Sequence, residues 1–180
     1  MNPVGDDVQI DLASMHEIGR LTTLTRLCLG GCSELVADAG LAGLAPLIAL
    51  TRLSLDAPPY SKLGVTDAGL VAARIPSMTS LIHLDLRECA GVTLVHSELG
   101  CLTNLTYLDL WGCYGVCDDG LKTLQGLPLT TLTLRECIRV SDAGLNGKCP
   151  PPSVTLNSNV MCVVISPHTS TPPSAVGVRR

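Results

Sequence analysis

Nine cysteines and four histidines are the residues of this chain best suited to chemistry. Cys28 and Cys32, like Cys113 and Cys117, have three residues between them, a separation that invites a zinc reading. No Cys-x-x-Cys and no pair of histidines completes four ligands, so no metal is expected. His16, His83, His96 and His168 are dispersed. A thiol activated by imidazole needs both groups within hydrogen-bond reach, and the strand arrangement derived below puts Cys28 and His83 two strands apart. Asp85 and Asp109 are neighbours in one column of that arrangement, and their repulsion could raise one pKa as general acid chemistry requires. A broad, shallow face gives them no pocket. Gly30-Gly31 belongs to a bend rather than to a phosphate loop. No enzyme activity and no cofactor are expected.

The elements that place these residues follow from a repeated phrase. Leu24-x-x-Leu27-x-Leu29-x-x-Cys32 recurs from Leu81 to Cys89, Leu105 to Cys113 and Leu129 to Cys137. A fifth copy, Leu50-x-x-Leu53-x-Leu55, has Pro58 where the others have cysteine. The starts at Leu81, Leu105 and Leu129 lie 24 residues apart, and a fixed period of this size marks stacked repeats. Within Leu-x-Leu the side chains alternate, so each phrase predicts a strand of about three residues with its leucines on one face. Stacked copies give a parallel sheet with that face buried. The cysteine should turn inward as a small apolar filler and weak thiol donor to nearby backbone.

A second phrase, Asp38-Ala39-Gly40-Leu41, returns at Asp67, Asp118 and Asp142. Asp ahead of leucines spaced by three, as in Leu41, Leu44 and Leu47, reads as a capped helix start. The glycine is expected to serve close packing of helix against strand. Pro46, Pro76, Pro128 and Pro150 should close each helix. Two departures stand out. The second repeat inserts Pro58-Pro59-Tyr60-Ser61-Lys62, a loop expected at the sheet edge, and the third has Val92-Thr93-Leu94-Val95-His96 in place of the Asp phrase. The third helix is therefore the weakest, with Leu99 and Leu102 still facing inward.

The fold class expected is α/β: a leucine-rich-repeat solenoid, a horseshoe segment with short parallel strands on the concave face and helices on the convex face. Residues 1–23 make a degenerate capping repeat, with Ile10-Asp11-Leu12 as a truncated strand and Met15, Ile18 and Leu21 on a first helix. Five repeats occupy residues 24–49, 50–80, 81–104, 105–128 and 129–149. Residues 150–165 form a C-terminal cap whose strand is Val154-Thr155-Leu156, and residues 166–180, rich in Pro, Ser and Thr, form a disordered tail.

Composition agrees. Hydrophobic residues are 46% of the chain yet Phe is absent, which suits a column of stacked Leu, Val, Ala and Cys rather than a ball-like core. A net charge of −4 from scattered residues gives no sign of a nucleic-acid surface. Met1 to Gln9 carries Asp6 and Asp7 without an apolar run, so no secretory signal is expected, and no stretch is apolar enough to span a bilayer. Repeat cysteines in an odd total point to reduced thiols and a cytoplasmic or nuclear location.

The residues between the leucines line up in columns on the open face. Arg26, Arg52, His83, Tyr107 and Thr131 form the first, and Cys28, Ser54, Asp85, Asp109 and Thr133 the second. Gly30, Asp56, Arg87, Trp111 and Arg135 form the third. The single tryptophan thus sits between two arginines, and Trp and Arg are the commonest interface hot spots. A protein-binding face is expected at Arg26, Arg52, His83, Asp85, Arg87, Tyr107, Asp109, Trp111 and Arg135. The simpler expectation is that Arg87 and Arg135 stack on Trp111 and pair with nearby acids.

The two phrases together resemble the cysteine-containing leucine-rich repeat, and Cys137-Ile138-Arg139-Val140-Ser141-Asp142-Ala143-Gly144-Leu145 follows its pattern without a gap. The resemblance covers about residues 10 to 160. It implies the substrate-binding arm of F-box proteins, the recognition subunits of SCF-type cullin ubiquitin ligases, acting in ubiquitin-dependent protein degradation. No F-box precedes Leu24 in this sequence. The alternatives are a scaffold, inhibitor or pathogen effector built on the same repeats, or a fragment of a larger protein. A monomer is expected outside such complexes.

Overall fold

Each Leu-x-Leu phrase forms a strand of three residues: β1 Arg26–Cys28, β2 Arg52–Ser54, β3 His83–Asp85, β4 Tyr107–Asp109 and β5 Thr131–Thr133. The structure, a computed structural model, describes residues 12–32, 38–58, 65–145 and 163–164. The five strands pair in chain order, all parallel, and β6 (Val163–Val164) adds to the β5 edge in the antiparallel sense. Register is the same at every step: Leu27 faces Leu53, Leu53 faces Leu84, Leu84 faces Leu108 and Leu108 faces Leu132. Leu53, Leu84, Leu108 and Leu132 are buried, and so are the leucines two residues further on, Leu55, Leu86, Leu110 and Leu134. Leu27, on the outermost strand, is only partly covered.

The chain then bends around the cysteine. The residue before it is left-handed each time, with φ of 77° at Gly31, 61° at Glu88, 71° at Gly112 and 62° at Glu136. Glycine enters that region without strain, whereas glutamate pays for it through contacts elsewhere in the bend. Behind the bend Cys89, Cys113 and Cys137 are buried, and each thiol donates to the preceding repeat: to Leu55 O at 3.5 Å, Leu86 O at 3.0 Å and Leu110 O at 3.1 Å. The expected filler and donor roles both hold. Burial pushes the thiols of Cys89 and Cys137 up to about 12 and that of Cys113 well above its ordinary value. A thiol in that state is neutral and unreactive at physiological pH.

Helices face the sheet: α1 (Leu12–Gly19), α2 (Asp38–Leu41), α3 (Asp67–Ala72), α4 (Asp118–Lys122) and α5 (Asp142–Leu145). Single 3-10 turns at Ala42–Leu44, Ile75–Ser77 and Leu99–Cys101 carry the chain back toward the next strand. The third repeat has only the last of these, as its missing Asp phrase suggests, and Leu99 and Leu102 are still fully buried.

The repeat aspartates depart from expectation. The carboxylates of Asp38, Asp67 and Asp118 each reach the next repeat instead of capping their own helices. Asp38 accepts from Thr66 N at 2.9 Å and from Thr66 Oγ1 at 2.5 Å, and Asp118 accepts from Ser141 N at 2.7 Å and Ser141 Oγ at 2.5 Å. Asp67 accepts from Thr93 N at 3.0 Å, Thr93 Oγ1, Leu94 N at 3.1 Å and His96 N at 3.5 Å. Capping falls to the hydroxyl just before the Asp: Thr66 Oγ1 accepts from Ala68 N and Ser141 Oγ from Ala143 N. At Gly69 and Gly144 the glycine two residues after Asp serves this same contact rather than helix-to-strand packing. A Cβ at Gly69 or Gly144 would overlap the carboxylate of Asp38 or Asp118.

Other expectations need correction. Leu12 opens a helix instead of ending a strand, and Leu21 lies beyond α1 and is exposed, because only Met15 and Gly19 of that helix are buried. Pro76 sits inside a 3-10 turn, where its fixed φ is tolerated, and does not simply end α3. The truncated strand at Ile10-Asp11, the insertion from Pro59 to Lys62, the strand at Val154-Thr155-Leu156 and the tail at 166–180 lie outside the described residues.

Asp67 and Asp118 hold matching positions at very different exposure, so their removal separates the two cases. Asp67→Ala orphans backbone donors beside fully buried Leu94 and should cost about 2–3 kcal/mol in urea unfolding. Asp118→Ala, at a half-exposed carboxylate whose partner Ser141 is exposed, should cost less, about 1 kcal/mol or below. Equal losses would contradict this assignment.

Candidate functional site

The open face of the sheet carries the three expected columns. In the first, Arg26, Arg52, His83, Tyr107 and Thr131 are direct neighbours across successive strands. The rings of His83 and Tyr107 stack at 4.0 Å between centroids and 9° between planes. Burial first, and then the charge of Arg52, holds the His83 imidazole below its ordinary pKa. Arg26 and Arg52 are exposed and form no ion pair among the described residues.

The second column is more internal than its place on the face suggests. Asp85 is 7% and Asp109 8% exposed, although the strand pattern turns both away from the leucine core. Their oxygens are engaged by the chain that follows: Arg87 N donates to Asp85 at 3.1 Å and Trp111 N to Asp109 at 3.1 Å. Each thus fixes the exit of its own strand in the manner of an Asx turn. Tyr107 Oη donates to Asp109 at 3.2 Å. Burial foremost, and next the charge and hydrogen bond of Asp109, push the Tyr107 phenol up to about 12.

Arg87 leaves the third column to serve the second. Its Nε donates to both Asp85 oxygens at 2.9 and 3.0 Å, its Nη2 lies 2.8 Å from Asp85 and 3.8 Å from Asp56, and its Nε lies 4.0 Å from Asp109. The hydrogen bond to Asp85 is the main cause that raises the Arg87 pKa. One guanidinium therefore serves three carboxylates. The expected stacking of Arg87 on Trp111 is replaced by this network, because paired acids at the strand end attract the cation more strongly than a ring face does.

Arg135 alone takes the cation–π position, 5.0 Å from the Trp111 ring centre, and its Nε lies 3.8 Å from Glu136. The Trp111 indole is partly covered, and its buried Nε1 has no hydrogen-bond partner among the described residues. The expected site thus divides into three parts. His83, Asp85, Arg87, Tyr107 and Asp109 form one connected cluster, Trp111 and Arg135 a second, and Arg26 and Arg52 stand free beside the first. The pairing of Arg87 with Asp85 and Asp109 was expected from the sequence, and the spacing Asp85-x-Arg87 puts both side chains on one side of an extended chain. Its reach to Asp56 was not expected. Among the described residues no group of three or more His, Cys, Asp or Glu comes together to hold a metal, and no helix is long and apolar enough to cross a membrane.

No protein-family model matches this chain, and no curated protein matches it.

Burial foremost, with the charge of Asp85 adding, raises the Asp109 pKa against the hydrogen bonds from Trp111 and Tyr107. A carboxyl whose folded pKa is raised gives stability below its unfolded value and loses it as pH rises through the folded value. Ionised Asp109 therefore costs stability at neutral pH. Asp109→Asn, which retains an acceptor for Trp111 N, should raise the melting temperature at neutral pH. That gain should fade as pH falls through the carboxylate range, where Asp109 itself is protonated. Calorimetry across pH checks this, and a gain that grows in acid would contradict it.

Proposed function

We propose that this chain is a leucine-rich-repeat solenoid, a horseshoe segment whose concave sheet face captures a protein partner. The observation that carries the reading is the run of five parallel strands in one register, with Trp111 and Arg135 stacked on the face they share. Such a face is wide and built from side chains fixed in rows, which suits a protein surface better than a small molecule. Its centre combines aromatic and arginine residues, the types that carry most binding energy at interfaces. The seven cysteines among the described residues are all free thiols, which suits a reducing compartment such as cytosol or nucleus.

The role we favour for this capture is substrate recognition for an SCF-type cullin ubiquitin ligase. Its support is the repeat phrase itself: cysteine behind the bend, then a hydroxyl residue, Asp and Gly, as at Cys137, Ser141, Asp142 and Gly144. A scaffold, inhibitor or effector would use the same face and differ in what accompanies it.

Affinity capture with mass spectrometry tests both levels. Trp111→Ala should weaken capture of the partner by at least about 2 kcal/mol while melting stays near that of the unmodified chain. Ligase subunits should co-purify with the unmodified protein. Unchanged capture with unchanged melting removes Trp111 as the binding centre, and capture without ligase subunits removes the degradative role.

A further inference from the structure

The binding face is unevenly compensated, and the imbalance identifies what it takes. Arg26 and Arg52 are direct cross-strand neighbours, so two guanidinium side chains start about 5 Å apart on the same side of the sheet. Like charges placed directly opposite on neighbouring strands destabilise a sheet. Among the described residues no acid forms an ion pair with either. Asp56, Asp85 and Asp109 turn to Arg87, and Ser54 Oγ donates to Asp56 at 2.5 Å. The next position in the column, His83, answers with an imidazole whose protonation burial and Arg52 both oppose. It stacks on Tyr107 to make a flat ledge directly beside the arginines.

We propose that Arg26 and Arg52 receive an acidic protein segment lying across the strands, whose next apolar or aromatic side chain rests on the His83–Tyr107 ledge. The proposal rests on the reading of this face as a protein-binding surface and names the chemistry of its occupant. Carboxylates spaced two residues apart in an extended segment are about 7 Å apart, and two long arginine side chains can spread to meet them. Arginine also pairs with carboxylates in bidentate fashion, which holds direction as well as charge. A single-stranded nucleic acid would find arginines and stacking rings here too. Its phosphates would, however, run on past Asp56, Asp85 and Asp109, three carboxylates that share one guanidinium, on a protein of net charge −4. A protein segment can end its acidic run before that point.

The test uses the full chain and three labelled probes in fluorescence anisotropy: a short peptide with two glutamates followed by a tyrosine, the same peptide with lysines for glutamates, and a single-stranded oligonucleotide of matched length. The glutamate peptide should bind best, and added salt should weaken it. Arg26→Glu with Arg52→Glu should weaken it at least about tenfold, and Arg26→Gln with Arg52→Gln should also weaken it, by a smaller factor. Arg20→Glu, in the turn just past α1 and outside every strand, should leave it unchanged. All these arginines are exposed, so melting temperatures should stay near that of the unmodified protein. Equal binding of the lysine peptide, tighter binding of the oligonucleotide, or full retention by both double variants would each overturn the acidic occupant. Such a failure beside a Trp111→Ala chain that still loses its partner would leave the binding face standing.

Discussion

Constant register between neighbouring strands is the constraint on which the other features depend. Side chains alternate along a strand, so a slip of one residue would turn Arg52 into the core and Leu53 out of it. Buried leucines two residues apart, on one side of the alternation, therefore hold each strand in place, as Leu53, Leu84 and Leu108 do with Leu55, Leu86 and Leu110. Backbone bonds repeat at the same point of each unit: Leu29 N to Ser54 O, Leu55 N to Asp85 O and Leu86 N to Asp109 O, all at 2.9 Å, and Leu110 N to Thr133 O at 3.0 Å. On the helical side the link from aspartate to the next Thr or Ser gives a second, polar lock. It is absent after the third repeat, where Leu94 stands in the aspartate's place, and there Gly120 packs against the Thr93 carbonyl while Thr123 Oγ1 donates to Leu94 O at 3.3 Å.

A register this regular has an electrostatic consequence on the open face. Similar residues from successive repeats come to lie side by side, so charge accumulates in rows: Arg26 beside Arg52, Asp85 beside Asp109. The acidic row is compensated from within by Arg87 and by the hydrogen bonds from Trp111 and Tyr107. Among the described residues the basic row has no ion-pair partner. A face built this way has direction, basic toward the β1 edge, acidic at its middle and aromatic beyond. Direction of this kind favours one orientation of a partner over its reverse and acts on specificity more than on raw affinity.

Much of this arrangement was legible in the sequence because its causes are local and periodic. Leu-x-Leu fixes which residues point inward, and the count between copies fixes who faces whom, so the three columns and the buried cysteines could be read directly. What could not be read were contacts decided by competition between several partners. Arg87 had Trp111 on one side and three carboxylates on the other, and spacing alone does not weigh a ring against an ion pair. Asp67 looked like a cap because Asp so often is one. Only the position of Thr93 in the next repeat shows that its carboxylate bridges two units, and the hydroxyl residues Thr66 and Ser141 before Asp67 and Asp142 were the overlooked sign. Leu21 failed for a different reason: a spacing of three continues past the end of a helix that Gly19 and the following turn have already closed.

Register itself can be measured through one native thiol. Cys28 is exposed and faces Ser54 directly across the first strand pair, at a backbone separation that a disulfide can span. Under mild oxidation Ser54→Cys should form a Cys28–residue 54 disulfide in high yield, whereas Arg52→Cys, displaced by two residues along the same strand, should not crosslink to Cys28. Peptide mapping by mass spectrometry reads both. Crosslinking at position 52 but not 54, or at neither, would contradict the alignment of the strands and with it the rows of the open face.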